Sequence, residues 1–270
     1  MTTIEDTIRG TGKNPVARER TEPSKLSRLR NWQSHEFWAR LFARPLCILF
    51  LYPIADLPWV TPNLLTHLSN LFFAFAIAAL WLDHWILAAV LLQFHLILDN
   101  MDGTLARYRQ CGSHFGSFYD KISDYLGIAT LFVSLGWIAT QQDPSRPHLI
   151  LFAILLVISE LIMGYTKWLT VAAHLKQPGA KPSSIRVGEV VLPQRSAGQW
   201  ALWVLDSCAR IVLFEEEDYF FWVGLALVVG RLDWVLYLLG TVRFFAMLGT
   251  VVVRGMEMRR LDSAIGNLRS

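Results

Sequence analysis

Charge of either sign is in short supply in this chain. Lys plus Arg number 25, Asp plus Glu number 22, and the net charge is only +3. That balance excludes the basic footprint of a nucleic-acid binder. Cysteine is scarce as well. Cys47, Cys111 and Cys208 are scattered without metal-ligand spacing, so they read as ordinary small residues. No apolar run opens the chain: residues 1–36 are polar, and no cleavable signal pattern is expected there. No internal repeat recurs at a fixed period. What is abundant is apolar surface. Hydrophobic residues make up 53% of the sequence, with 11 Trp and 16 Phe, and they are bunched. Windows such as Leu64–Leu82 and Leu149–Ile158 carry almost no charge. A membrane-spanning helix needs about 20 such residues.

The pattern predicts an all-α, polytopic membrane protein with six transmembrane helices preceded by an N-terminal amphipathic interfacial helix. Residues 1–34 are polar and rich in Thr, Arg and Pro, which predicts a disordered cytoplasmic N-terminus. Residues 35–57 place Trp38, Phe42, Leu46 and Phe50 among Arg40 and Arg44. They read as a surface helix with aromatics inward and arginines toward the headgroups, or alternatively as a first span. The catalytic domain is expected over 58–256, with spans near 63–82, 85–107, 116–140, 148–173, 219–230 and 235–254. Residues 257–270 form a cytoplasmic tail. The first 44 residues hold nine Lys or Arg, and Arg254, Arg259 and Arg260 lie near the other end. By the positive-inside rule both ends face the cytoplasm, as does the polar loop His174–Ser196 with its four basic residues. Within 199–214, a second interfacial helix, Asp206 and Arg210 stand at i,i+4 and can pair. The acidic stretch Glu215–Asp218 is expected to stay in water.

The informative stretch runs from Asp99 to Asp124. Carboxylates at membrane depth are costly, and four of them call for a purpose. Asp99, Asp102 and Ala106 fall at i, i+3 and i+7 on one face of the second span. Gly116, Asp120 and Asp124 fall at i, i+4 and i+8 on one face of the third. The two helices are consecutive and antiparallel, so the faces can meet near the cytoplasmic surface. Converging carboxylates repel one another, and either protonation or a divalent cation must neutralise them. An all-carboxylate donor set suits hard ions, Mg2+ or Mn2+, and the lack of His or Cys at ligand spacing argues against zinc. Gly103, Ala106, Gly112 and Gly116 remove bulk beside the acids. Glycine weakens a helix by roughly 1 kcal/mol relative to alanine, so close approach of a helix or a ligand is the expected reason for it. Arg107 and Arg109 at the mouth of the groove suit a phosphate, although Arg109 reads equally well as a snorkelling interfacial residue.

The run Asp99-x2-Asp102-Gly103-x2-Ala106-Arg107-x8-Gly116-x3-Asp120-x3-Asp124 resembles the signature of the CDP-alcohol phosphotransferases, with all eight defining positions present. The segment Pro62-Asn63-Leu64-x-Thr66 and the six-span plan resemble that family too, and the likeness is strongest over residues 38–173. The resemblance implies that Asp99, Asp102 and Asp120 hold two Mg2+ or Mn2+ ions and that Asp124 shares in that site. It makes Asp124 the general base for the acceptor hydroxyl. Gly103, Ala106, Arg107 and Gly116, with Thr66 nearby, would line the cytidine-diphosphate pocket. The reaction would transfer a phosphatidyl group from a CDP-linked donor, CDP-diacylglycerol by length and span plan, to a polar alcohol and release CMP. A homodimer in the inner membrane, with its active site toward the cytoplasm, is also implied. Lys167 and Arg195 are candidate acceptor-binding residues; their alternative reading is as ordinary charges at a helix end.

Competing readings are an aminoalcohol phosphotransferase using CDP-choline or CDP-ethanolamine, an intramembrane prenyltransferase, and a non-enzymatic cation-binding membrane protein. Prenyltransferases carry two separated aspartate-rich motifs, whereas here both carboxylate pairs lie in one helix–link–helix unit. A cation-binding protein leaves the glycines and the arginine unexplained. Two further charges fall mid-span, Glu160 in the fourth helix and Arg243 in the sixth. They lie at similar depth, about 16–20 Å from the cytoplasmic helix ends, and are expected to pair.

Overall fold

The computed structural model describes residues 24–30, 34–176 and 196–269, and among these it is helical throughout, with no strand. In chain order the helices are α1 (Lys25–Leu29), α2 (Arg44–Ile54, continuing from a π-helical turn over Ala39–Ala43), α3 (Pro62–Trp81), α4 (Trp85–Arg109), α5 (His114–Gln142), α6 (Leu149–Leu175), α7 (Ala197–Ala209), α8 (Asp218–Val229) and α9 (Leu232–Arg269).

Local chemistry sets the boundaries that matter for function. Thr61 caps α3, its side chain accepting the Leu64 N–H at 3.2 Å, and Pro62 occupies the first turn, where its missing N–H costs nothing. Ser113 caps α5 in the same way, accepting the Gly116 N–H at 2.9 Å. Between α4 and α5 the chain reverses through Gln110 in the left-handed region (φ 54°), with the Cys111 N–H returning to the Ala106 carbonyl at 3.0 Å. The C-terminal end of α4 and the N-terminal end of α5 therefore sit side by side.

Helix α3 packs along α4, α5 along α6, α6 along α9, and α8 against α4. A continuous apolar core joins them, built on Leu80, Leu92, Phe132, Leu135, Leu156 and Leu239. Large apolar side chains such as Leu71, Phe75, Ile86, Leu151 and Phe245 point outward instead, as expected for helices in contact with lipid. Five helices, α3, α4, α5, α6 and α9, are long and apolar enough to cross a membrane.

Several expectations are revised. The fifth span is not among them, for α8 falls where expected with 12 residues, about 18 Å at 1.5 Å per residue, against a hydrocarbon core of about 30 Å. The last helix does not stop near 254 but runs on to Arg269. Part of the stretch expected to be disordered, residues 24–30, holds α1, with Leu29 fully buried; the rest of 1–34 but for Ser34 lies outside the described residues. In the segment expected on the membrane surface the arginines turn inward. Arg44 is buried, 3.4 Å from the Thr104 hydroxyl, and Arg40 pairs with Asp206 at 2.9 Å. The Asp206–Arg210 pair is present at 3.2 Å.

Of the acidic stretch Glu215–Asp218, Glu216 is exposed as expected, whereas Asp218 is buried and Glu217 half-buried. Asp218 is fully buried and accepts the N–H groups of Trp38 and Glu215, both at 3.1 Å. Glu217 accepts Asn100 Nδ2 of α4 at 2.9 Å, and its own N–H donates to Glu36 at 2.8 Å. Backbone and amide donors stand in for the water that these acids give up. The intramembrane charges pair as their depth suggests: Arg243 Nη2 donates to Glu160 Oε2 at 2.9 Å, with a second contact from Nε.

Candidate active site

Four aspartates reach the junction of α4 and α5, and three of them converge. One carboxylate oxygen from each of Asp99, Asp120 and Asp124 lies within 4.8 Å of the other two. The helical periods bring this about, since Asp120 and Asp124 stand one turn apart on α5 and face Asp99 on α4. Asp102 is buried and is not part of the trio; it accepts a short hydrogen bond from the Thr66 hydroxyl of α3. That hydroxyl also reaches the Pro62 carbonyl at 3.2 Å, so Thr66 is committed to orienting an aspartate.

Gly103 and Gly116 have visible reasons, whereas a Cβ at Gly112 would meet nothing within 4 Å. A Cβ at Gly103 would lie 3.3 Å from the Arg107 guanidinium, which folds back over the glycine one turn before it and stands 3.4 Å from the Thr104 hydroxyl. A Cβ at Gly116 would lie 2.9 Å from the Ser113 capping oxygen. Gly116 thus keeps the first turn of α5 open to its own cap. Ala106 and Gly116 are half-buried on the same junction. Arg109 resolves against both of its expected roles. It donates to the carbonyls of Ala55, Leu57 and Val60 at 2.6–2.9 Å and ties the α2–α3 connection to the end of α4.

A cavity of about 200 Å³ opens beside the trio. Asp99 and Asp124 line it together with Lys121, Glu36, Glu216 and Glu217, whereas Gly103, Ala106, Arg107 and Gly116 do not. The site therefore has two sides, a glycine–arginine side at the helix link and an acidic cavity toward α8. Burial, reinforced by the neighbouring Glu217 carboxylate, pushes Glu36 up to about 10, and burial raises Glu217 as well. Lys121 Nζ lies 2.8 Å from Asp124 and 3.3 Å from Asp120.

Sequence reasoning missed three of these contributors. Lys121 was visible as a cation set between two ligand positions. Glu217 and Asn100 were not, because their contact joins residues 117 positions apart and no local period reports it. Lys167 is exposed on α6, and Arg195 lies outside the described residues.

The donor set is all hard oxygen, and three ligand atoms already stand close enough to share a small cation, so the residues present fit a divalent metal. The model of the CDP-alcohol phosphatidyltransferase family matches residues 59–211, more than half of the chain and all four aspartates of this site. The chain belongs to that family. Divalent-metal dependence goes with it. Among curated proteins, a phosphatidylinositol phosphate synthase of Mycolicibacterium smegmatis is 30% identical over 105 residues, 39% of this chain and 45% of the relative. One of Corynebacterium glutamicum is 29% identical over 109 residues, 40% and 50% respectively. An uncharacterized protein of Aquifex aeolicus is 32% identical over 109 residues, 40% and 54%. The matched stretch thus spans about half the length of each of these relatives.

Proposed function

We propose that the chain transfers a phosphatidyl group from CDP-diacylglycerol to the hydroxyl of a polar alcohol and releases CMP. The observation that carries this reading is the convergence of Asp99, Asp120 and Asp124 beside a cavity large enough for a small alcohol. Asp99, Asp102, Asp120 and Asp124 would hold two Mg2+ or Mn2+ ions. When bound, such ions neutralise the diphosphate and the departing CMP oxygen.

The chain's own residues supply the rest. The Asp124 carboxylate, facing the cavity, takes the proton of the acceptor hydroxyl. The acceptor oxygen then forms its bond to the phosphatidyl phosphorus, and the bond from that phosphorus to CMP breaks. The Thr66 hydroxyl holds Asp102 in one rotamer. Gly103, Ala106 and Gly116 would line the nucleotide pocket at the helix link, where Arg107 would meet a phosphate. Arg107→Ala is therefore expected to raise the KM for the CDP donor about ten- to a hundredfold, the worth of a charged hydrogen bond, with the acceptor KM little changed. Steady-state kinetics with each substrate varied in turn check this, and an unchanged donor KM would remove Arg107 from the pocket.

The names of the relatives offer one acceptor, an inositol phosphate, and Lys167 with Arg195 would be its anion-binding residues. The acids of the cavity favour a second reading. Glu216, exposed at the cavity, suits an alcohol that carries an ammonium group, as in the aminoalcohol branch, whereas Glu36, pushed up to about 10, is neutral near pH 7. The basic N-terminal segment and the α4–α5 link lie on the side that the positive-inside rule assigns to the cytoplasm, here of an inner membrane. A homodimer follows from the family resemblance alone.

The test is CMP release by purified protein with Mg2+ or Mn2+. One arm supplies CDP-diacylglycerol with inositol phosphate, serine, glycerol phosphate or choline singly. The other supplies CDP-choline with diacylglycerol. Release from CDP-diacylglycerol that requires an alcohol supports the first reading and names the acceptor. Release from CDP-choline alone supports the aminoalcohol branch, and no release from either donor overturns both.

A further inference from the structure

We propose that Lys121 is an exchangeable counter-ion of the metal site. Its ammonium holds Asp120 and Asp124 together while no metal is bound, and an arriving divalent cation must displace it. This rests on the reading of the aspartates as metal ligands. The geometry points to competition for the same atoms. Nζ lies 2.8 Å from Asp124 Oδ2 and 3.3 Å from Asp120 Oδ2, and both residues contribute to the three-way cluster with Asp99. A divalent cation at about 2.0–2.1 Å from those carboxylates would stand against the ammonium, and the like charges would repel one another strongly at such range.

The side chain is also built to leave. Lys121 is 48% exposed and lines the cavity, and its flexible four-carbon stem can carry the charge away from the acids without moving α5. An ordinary surface ion pair would offer little energy and no such exchange. Here the lysine also relieves repulsion among carboxylates that converge on one point. Metal-free protein keeps an assembled site, at the expense of metal affinity. The apparent affinity is then the intrinsic one multiplied by the fraction of sites that the lysine leaves open.

The experiment uses full-length protein in detergent micelles with Mn2+ as the probe, free Mn2+ being read by electron paramagnetic resonance. Lys121→Met and Lys121→Gln are expected to bind Mn2+ about tenfold more tightly than the parent, as for a lysine that occupies about nine sites in ten. Lys121→Arg, which keeps the charge, is expected to stay near the parent. In EDTA the two neutral variants should melt earlier, and Mn2+ should raise their Tm by more than it raises the parent's. Equal or weaker Mn2+ binding by both neutral variants overturns the proposal. Asp99→Asn serves as the separate control: binding that survives in it unchanged would overturn the metal assignment itself.

Discussion

Replacing Asp124 by asparagine is expected to lower CMP release by about 10²–10⁴-fold, the usual worth of a positioned general base, while the protein remains folded. Asparagine keeps the volume and an oxygen that can accept from Lys121, which stands 2.8 Å from the native carboxylate. What it cannot do is take a proton from the acceptor hydroxyl. Nor should stability suffer. Asp124 sits in a cluster with Asp99 and Asp120, and removing one of three converging negative charges relieves repulsion in the metal-free state. The expected pattern is thus an unchanged or slightly raised Tm in EDTA together with a collapsed kcat. A second measurement separates the two roles given to this residue. Mn2+ binding should weaken in both Asp124→Asn and Asp99→Asn. If Asp124 is the base, its variant should stay slow even when Mn2+ is raised to saturation, whereas a loss due only to metal affinity would be rescued. Near-normal turnover at saturating metal would remove Asp124 as the base.

The core of this site was legible because it is helical and local. Spacings of three and four residues put Asp99 with Asp102, and Asp120 with Asp124, on single faces, and a short link brought the faces together. The mid-span Glu160 and Arg243 were legible for a different reason, since buried charges at equal depth in neighbouring helices have few partners other than each other. The sequence misled where a polar segment found partners far along the chain. Glu215–Asp218 looks like a solvated acidic turn, yet Asp218 accepts the Trp38 N–H, Glu217 accepts the Asn100 amide, and the Glu217 backbone N–H donates to Glu36. Arg109 looks like either a phosphate ligand or a snorkelling interfacial residue. Three backbone carbonyls of the α2–α3 connection claim it instead. In each case the deciding partner is a backbone group or a distant side chain, which periodicity does not report. The short α8 was legible by contrast: the reading of 219–230 lies within one residue of Asp218–Val229, which Gly230 closes at φ +75°.

The largest effect on stability is expected at the Glu160–Arg243 pair. Both residues are almost wholly buried, and the pair is held from two further sides. The Tyr219 hydroxyl donates to Glu160, and Arg243 Nη1 donates to the Phe214 carbonyl at 3.0 Å. Removing one partner strands the other as an uncompensated buried charge. Arg243→Met should therefore cost about 3–5 kcal/mol, read as thermal or denaturant unfolding in a fixed detergent. Glu160→Gln should cost less, because the amide oxygen still accepts from Arg243 and Tyr219. The double variant Glu160→Met with Arg243→Met should lose much less than the sum of its two single Met changes, because no charge is left unpaired, and this double-mutant cycle isolates the pairwise coupling. Additive losses would show that the two charges act independently. A charge swap is expected to recover only part of the loss, since an arginine at 160 cannot accept from Tyr219 and a glutamate at 243 cannot donate to Phe214. Tyr219 also lines the cavity beside the aspartates. The pair thus fixes α6, α8 and α9 around the place where the acceptor alcohol is proposed to bind. The double apolar variant, folded but without the clamp on Tyr219, should raise the acceptor KM while leaving the donor KM near that of the parent.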